Sequence, residues 1–387
     1  MTAPRFLQIH TLHSYAAALL NRDDSGLAKR IRFGGVSRTR ISSQCLKRHW
    51  RHAQVVDEKT GRKIKDDPHA LQSLVGFVDS VRSRELVTEK VIAPLRGQFA
   101  EEVVNALEPE FQKLVYGDKA DKGKKSRQTL LLGQPELDWL AREARNIAEG
   151  AKDKKAAEKA VAEWVKDKNF KAMRDSSALP GGLIAALFGR MVTSDPAANI
   201  DAPVHVAHAF TVHAEEVEDD YFTAVDDLKR DDDDSGADTI QETEITCGLF
   251  YGYSVIDIPG LVANCGGDRS LAGRVVHNLM YLIAEVSPGA KLGSTAPYGR
   301  AGFMLLEAGD RQPRSLVEAY RRPAAPELND AVEKLCGQIA AFDRAYETGE
   351  TRICLNLSGA KLGDTPTGSL ADLAAWAEVR VEEAGHA

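Results

Sequence analysis

The order of apolar and polar residues divides the chain into strand-like segments and a long helical block. Alternation of period two indicates strands, and apolar residues three or four apart indicate helices. Strand patterns occupy residues 6–12, 31–41, 204–212, 302–307 and 352–357, and helical patterns occupy 69–175, 269–286, 326–346 and 369–385. This order predicts an α+β fold in which a mostly antiparallel sheet is interrupted by a helical insertion.

The stretch from Arg38 to Arg51 joins the end of a strand to the start of a helix. Ser42 and Ser43 both suit a helix N-cap, and Leu46 and Trp50 follow at core-facing spacing. Backbone N–H groups, hydroxyls and several cations therefore converge, which favours a bound phosphate. The preceding diglycine, residues 34–35, lets another chain approach the backbone closely. Neither a P-loop nor a dinucleotide-binding fingerprint is present.

Charge is distributed unevenly along the chain. The formal net charge is −7, yet residues 22–52 contain nine Lys/Arg and only two acids. Residues 211–244 contain fourteen acids and two bases, including four consecutive aspartates at 231–234. Strand-prone runs flank this acidic segment and predict a long hairpin with an acidic tip. A basic patch and an acidic arm on one chain favour head-to-tail self-association.

Two features of the composition bear on compartment and cofactors. The five cysteines are scattered and include no C-x-x-C pair, which supports neither a disulfide framework nor a zinc site. No apolar run approaches the length of a membrane span, and residues 1–6 lack an apolar signal region. We expect a cytoplasmic protein with no cofactor, no metal and no membrane partner.

Three further sets of residues could bear on chemistry or binding. Asp23 and Asp24 suit a turn, and the sharper alternative is a metal-dependent phosphodiester-cleaving site. Four histidines, at 10, 13, 49 and 52, have no carboxylate at ligand spacing and favour structural or surface roles. A lysine-rich loop is compatible with polyanion contact or with simple solvation. Its lysines are Lys119, Lys122, Lys124 and Lys125.

Several separated motifs resemble one known family. They are Asn21-Arg22-Asp23-Asp24, Phe33-Gly34-Gly35-Val36, Arg40-Ile41-Ser42-Ser43-Gln44, Leu46-Lys47-Arg48, Gly189-Arg190-Met191, His205-Val206-Ala207-His208-Ala209, the segment 222–228 and Pro288-Gly289-Ala290-Lys291. In this order they are similar to the CasC family, the repeated backbone subunit of the type I-E CRISPR surveillance complex Cascade. The resemblance spans residues 5 to about 305.

The resemblance implies a fold with three parts. The palm is an RRM-like (ferredoxin-like) antiparallel sheet, the fingers are a helical insertion, and the thumb is a long β-hairpin. We place the palm at 1–60, 180–215 and 246–387, the last with C-terminal helices. The fingers occupy 61–179 and the thumb occupies 216–245.

The resemblance also implies roles for individual residues. Those implied to hold RNA are Arg22, Arg38, Arg40, Ser42, Ser43, Gln44, Lys47, Arg48, Arg51, Met191, Val192 and Lys291. Those implied to wedge from the thumb of an adjacent copy are Tyr221, Phe222 and Thr223. The four lysines of the fingers loop would contact target DNA. Cys45 departs from the small residue expected there, and the thumb tip is unusually acidic.

The implied function is binding without catalysis. Several copies assemble a helical filament along the CRISPR RNA, grip its phosphates and kink it at regular intervals. The guide bases stay free to pair with target DNA in antiviral defence. The implied partners are CRISPR RNA, further copies of the chain, other Cascade subunits and, through the guide, target DNA. The alternatives are a ribonuclease of the type III backbone kind that uses Asp23 or Asp24, and an oligomeric scaffold without nucleic acid.

Overall fold

The computed structural model describes most of the chain. The described residues are 4–53, 67–117, 120, 125, 127–166, 173, 175, 177–192, 195–224, 239–289 and 292–383. They form two compact units. The first is Met1–Leu71, Val206–Ile256 and Gly273–Ala387, and the second is Gln72–His205 and Asp257–Ala272. This division differs from the predicted boundaries, because it groups residues 180–205 and 257–272 with the helical insertion.

Eleven strands and ten helices are labelled in chain order within the described residues. The strands are β1 Phe6–Ala18, β2 Arg30–Phe33, β3 Val36–Ile41, β4 Ser80–Ser83, β5 Leu130–Gly133, β6 Val204–Val206, β7 Ala209–Thr211, β8 Glu216–Ala224, β9 Thr239–Asp257, β10 Ala301–Gly309 and β11 Thr351–Asn356. The helices are α1 Ser43–Arg51, α2 Glu101–Tyr116, α3 Gln134–Gly150, α4 Lys154–Lys166, α5 Gly182–Phe188, α6 Ile258–Asn264, α7 Arg269–Glu285, α8 Leu292–Thr295, α9 Leu328–Tyr346 and α10 Leu370–Glu383.

The sheet of the first unit runs in the order β11-β10-β1-β9-β7-β3-β2. Antiparallel pairing joins β1 to β10, β10 to β11, β3 to β7 and β2 to β3. β8 also pairs with β9 over its whole length, from Glu216 opposite Cys247 to Ala224 opposite Thr239. The structure thus confirms the predicted α+β class with an antiparallel sheet and several helices.

Both faces of the central strands are covered by other elements. On one face, Ile9 of β1 lines a small cavity with Trp50 of α1 and Ile283 of α7. On the other face, Leu12 packs in a core cluster that includes Leu335 of α9. Successive residues of a strand point to opposite faces, so residues 7–12 of β1 are buried on both sides, whereas Ser14, Ala16 and Ala17 are exposed. Ligands therefore have no open sheet face along residues 7–12.

The face covered by α9 encloses a network of charged groups. Glu307 of β10 accepts a hydrogen bond from His10 Nε2 at 3.0 Å and pairs with Arg314 Nη2 at 2.8 Å and Arg352 Nε at 2.6 Å. Burial acts to raise the pKa of Glu307, but hydrogen bonds from Arg314 and His10 hold that pKa well below its usual range. His10 is itself fully buried, and burial lowers its pKa. Through Arg314 and Arg352, the network joins β1 and β10 to the segment after β10 and to β11.

The second unit has its own core around α2, α3 and α4. Phe111, Leu140 and Val161 of these helices are buried together, and β4 pairs with β5 beside them. Glu136, buried at the start of α3, binds Arg190 through Oε1 and Nη2 at 2.7 Å. This buried ion pair holds the segment that follows α5 against the start of α3. No helix among the described residues is long and apolar enough to cross a membrane.

Candidate nucleic-acid interface

The start of α1 is held by a side chain from a distant loop. Ser42 has extended dihedral angles, and its Oγ accepts from Cys45 N at 3.3 Å, so Ser42 is the N-cap and Ser43 is the first helical residue. The N–H of Ser42 donates to Oδ1 of Asn21 at 2.9 Å. Trp50, one of the residues predicted to face the core, is buried. The loop after β1 and the helix start therefore form one structural block.

That loop is organised by Asp23. Its Oδ1 accepts from Ser25 N at 2.9 Å and from Leu27 N at 3.0 Å, which is the hydrogen-bond pattern of an aspartate that caps a turn. The structure confirms the turn role of Asp23. Arg22 precedes it in an isolated bridge to Ala28, with its side chain exposed.

Cations gather beside this block. Arg40 donates from Nη1 to His208 Nδ1 at 2.8 Å and from Nε to Arg30 O at 3.0 Å. Partial burial, together with the charges of Arg40 and Lys29, lowers the pKa of His208. Burial raises the pKa of Cys45, whereas Arg48 and Lys29 act in the opposite direction. The N–H of Lys29 donates to Asn21 O at 2.9 Å, and its carbonyl accepts from Arg40 N at 2.8 Å, so Lys29 belongs to the same block.

We call Arg22, Lys29, Arg40 and Arg48 the basic rim. Arg22 and Arg48 are exposed, and Lys29 and Arg40 are half-buried. An open concavity of about 400 Å³ lies along part of the rim. It is lined by Asp23, Asp24, Ala28, Lys29, Arg30 and Arg40. Several cations around an open concavity next to a capped helix start can hold phosphate groups.

Arg38 lies in the interior instead. Its side chain is fully buried, and it donates from Nη1 to Thr211 O at 2.9 Å and from Nη2 to Tyr320 O at 2.8 Å. Its guanidinium also lies over the Phe33 ring. Arg38 is therefore a structural residue that ties β3 to distant backbone, and the basic rim omits it.

The other implied residues of α1 differ in accessibility. Gln44 is exposed, Ser43 is buried, and Ser43 Oγ lies 3.4 Å from Gln44 Oε1. Lys47 and Arg51 are half-buried, and both already take part in interactions within the chain. The exposed positions of the helix are therefore the ones best placed to meet a ligand.

The diglycine before β3 allows another segment of the same chain to pack against its backbone. Gly34 has φ of +65°, and a Cβ added to it would overlap the carbonyl oxygen of Arg321. The close approach predicted for this motif is thus made by residue 321 of the same chain. Only glycine fits there, since both the space and the dihedral angle exclude a side chain.

The predicted thumb corresponds to the β8–β9 hairpin. Tyr221 is exposed on β8, and the backbone of Phe222 and Thr223 pairs with Gln241 and Ile240. Arg30 of β2 binds the hairpin base, through Nε to Glu215 Oε2 at 2.8 Å and through Nη2 to Glu244 Oε2 at 2.5 Å. The side chains of residues 222 and 223 and the aspartates at 231–234 lie outside the described residues.

In the second unit, Met191 and Val192 have opposite surroundings. Met191 is 65% exposed, whereas Val192 is 5% exposed and packs in the core of this unit. Met191 is therefore accessible to a ligand, whereas Val192 is a core residue. Lys125 is exposed. Lys119, Lys122, Lys124 and Lys291 lie outside the described residues.

Sequence reasoning missed two residues of the candidate interface, Lys29 and His208. It also missed the two glutamates that pair with Arg30. Lys29 contributes to the basic segment, but no motif singles it out. His208 becomes a partner of Arg40 only because β3 pairs with β7. Glu215 and Glu244 pair with Arg30 across large sequence separations. No local pattern signals such pairs, because they depend on the sheet order.

Two of three comparisons with known proteins find matches to this chain. A family model of CT1975-like proteins (Cas_CT1975) matches residues 7–378. No curated protein matches the chain. A solved chain titled "CRISPR RNA-guided surveillance complex, pre-nicking" is similar with a TM-score of 0.78 and 24% identity, covering 97% of this chain and 100% of that one.

A second solved chain, titled "CRISPR RNA-guided surveillance complex", has a TM-score of 0.58 and 19% identity, covering 96% of this chain and 99% of the other. At these identities the two likenesses establish a shared fold over nearly the whole length. The family model also spans nearly the whole sequence. The chain therefore belongs to the family of CT1975-like proteins.

Proposed function

We propose that this protein is a CRISPR RNA-binding backbone subunit of a Cascade complex, of the type I-E CasC kind. The observation that carries the proposal is the basic rim beside the start of α1. The titles of the two similar structures name CRISPR RNA-guided surveillance complexes, which supports the same assignment.

The covered sheet explains why RNA would bind at the rim. Helices and loops pack on both faces of β1 over residues 7–12, so these residues offer no platform on which bases could stack. Arg22 and Arg48, in contrast, are exposed. Contacts to phosphates position a nucleic acid without reading its sequence. A subunit that accepts any guide needs this kind of grip, because base pairing supplies the specificity.

Repetition along the RNA is the second part of the proposal. Several copies would stack as a helical filament, and the acidic β8–β9 hairpin of one copy would reach the basic surface of the next. Tyr221 is exposed on this hairpin and would wedge into the guide at each kink, with Met191 against the displaced bases. Each copy adds a few charge-assisted hydrogen bonds, and the array sums them.

Other Cascade subunits and target DNA complete the proposed set of partners. Target DNA would pair with the exposed guide bases. Lys125, which is exposed in the second unit, and the neighbouring lysines would contact its backbone. The contacts between these lysines and the DNA backbone are electrostatic, so they should weaken as the salt concentration rises.

The direct experiment is co-expression of the chain with the other complex subunits and a CRISPR array. We expect RNA of uniform length to co-purify, with a high ratio of absorbance at 260 to 280 nm. A matched expression without the array is the control. Protein that assembles equally well without RNA would favour a plain scaffold and would refute the proposal.

We also propose that the protein binds RNA without cleaving it. Oδ1 of Asp23 is engaged in its own turn, which favours a structural role over a catalytic one. Asp24 is exposed and is the remaining candidate of the ribonuclease alternative. Replacing both by alanine and incubating the complex with guide-paired RNA and Mg²⁺ separates the two functions. Metal-dependent cleavage that disappears in the variant would establish the ribonuclease.

A further inference from the structure

A loop between α7 and β10 presents an exposed aromatic ring that the proposed RNA grip does not use. Residues 287–300 have the sequence SPGAKLGSTAPYGR, with two cations and no acid. Tyr298 is 78% exposed, and Arg300 is exposed beside it in the sequence. A tyrosine ring exposed to this extent offers an accessible aromatic face to a ligand.

The base of this loop is fixed rigidly. Ser287 Oγ donates to Gly299 O and accepts from Gly299 N, both at 2.9 Å, and Tyr15 OH donates to Ser287 Oγ at 3.2 Å. Gly299 packs so closely on β1 that an added Cβ would lie 2.7 Å from Ser14 O. The residue next to the ring is therefore held directly against the sheet.

The backbone before the ring is also constrained. Ala296 has φ of +38°, which is unfavourable for a residue with a Cβ, and its carbonyl accepts from Tyr298 N at 2.7 Å. Such conformations persist where the surroundings impose them, and they cluster at binding sites. The tight turn points to a ring whose position is set before any ligand arrives.

The loop lies next to α1 within the first unit. Val286 and Pro288, at its beginning, line the same small cavity as Leu46 and Trp50 of α1. Tyr15, which anchors Ser287, lines that cavity too. The base of the loop thus packs against the side of α1 that presents Leu46 and Trp50 to the core.

We propose that Tyr298 is a stacking residue for an unpaired base of single-stranded nucleic acid, with Arg300 binding a phosphate. This inference rests on the proposed function and adds an apolar interaction to the electrostatic grip. Arg300 Nη2 lies 3.4 Å from Glu285 Oε1 in the free chain and Arg300 remains exposed, so a phosphate can compete for it. Stacking on tyrosine accepts every base, which suits a protein that must hold any guide sequence.

The test measures binding of fluorescently labelled oligo(rU) and oligo(dT) by the full chain. We expect Tyr298→Ala to weaken binding of at least one strand by about fivefold or more, and Tyr298→Phe to keep wild-type affinity. A loss confined to oligo(rU) would assign the stacking to guide RNA, and one confined to oligo(dT) would assign it to DNA. Arg300→Ala should instead lower the dependence of binding on salt by the equivalent of about one phosphate.

Tyr346→Ala is the matched control, because Tyr346 is also exposed but lies at the end of α9. It should bind like the wild type. Wild-type affinity of Tyr298→Ala for both strands would overturn the inference while leaving the proposed function intact. Equal losses in the Phe and Ala variants would overturn it too, since the hydroxyl would then be the binding group. A wild-type chain that binds neither strand would overturn both proposals.

Discussion

Charged side chains occupy two regions of the first unit with opposite surroundings. Around Glu307, two arginines and a histidine surround one carboxylate in the interior, and each of them pairs with it. Along the basic rim, Arg22 and Arg48 are exposed and Lys29 and Arg40 are half-buried, with Asp23 and Asp24 beside them. The first region uses charge to hold the chain together. The second leaves part of its charge accessible to an anion, and we therefore propose accessible cations, rather than cations as such, as the RNA interface.

The largest expected effect comes from breaking the interior region. Glu307→Ala removes a buried carboxylate that pairs with the half-buried Arg314 and Arg352, although Asp343 and Glu350 still bind Arg352. The free energy of unfolding should fall by about 3 kcal/mol. Urea denaturation followed by circular dichroism measures it. Glu318→Ala is the control, because Glu318 pairs with Arg321 in an exposed position on the same unit. If both variants were destabilised equally, the interior network would not be structural.

The next effect should appear only in RNA binding. Arg22→Ala with Arg48→Ala removes two exposed rim cations, and RNA recovered with the purified complex should fall roughly tenfold at moderate salt. The melting temperature should stay close to that of the wild type. Arg311→Ala, an exposed arginine after β10, is the matched control. Unchanged recovery in the double variant would mean that the basic rim is not the RNA grip.

A smaller effect is expected in the pH dependence of stability, which tests the burial of His13. Burial lowers the pKa of His13 from 6.5 to about 4, although hydrogen bonds to two backbone carbonyls oppose the change. Between these values the unfolded chain binds a proton that the folded chain excludes. Stability is therefore complete above pH 6.5 and falls as pH decreases towards 4, by at most about 1.4 kcal/mol per pH unit.

Denaturation midpoints at pH 7.5 and 5.0 measure this dependence. His13→Gln should lose less stability on acidification than the wild type, and the remaining loss should reflect His10, whose pKa burial also lowers. The same acid-induced loss in both proteins would show that His13 does not stay neutral in the folded chain.

Local patterns predicted the helix start well. Ser42 caps α1, Trp50 faces the core, and Asp23 caps a turn, as residue type and spacing indicated. Each of these features depends on hydrogen bonds or packing that begin within a few residues, which a sequence displays directly.

Long-range packing determines the features that the sequence did not predict. Arg38 and Arg40 look alike in sequence, yet one is buried against Thr211 and Tyr320 and the other lines the concavity. Alternation puts their side chains on the same side of β3, so only the packed neighbours distinguish them. Val192 and Met191 differ for the same reason, since the core of the second unit takes one and leaves the other exposed.

We propose that the basic rim grips RNA by its phosphates without reading its sequence. The direct measurement is the affinity of the full chain for two single-stranded RNAs of equal length and unrelated sequence, over a series of salt concentrations. We predict equal affinities and equal negative slopes of log affinity against log salt. The slope should become shallower in the Arg22 and Arg48 double variant, by about 0.7 for each phosphate that is no longer neutralised. A strong preference for one sequence, or affinity independent of salt, would contradict the account.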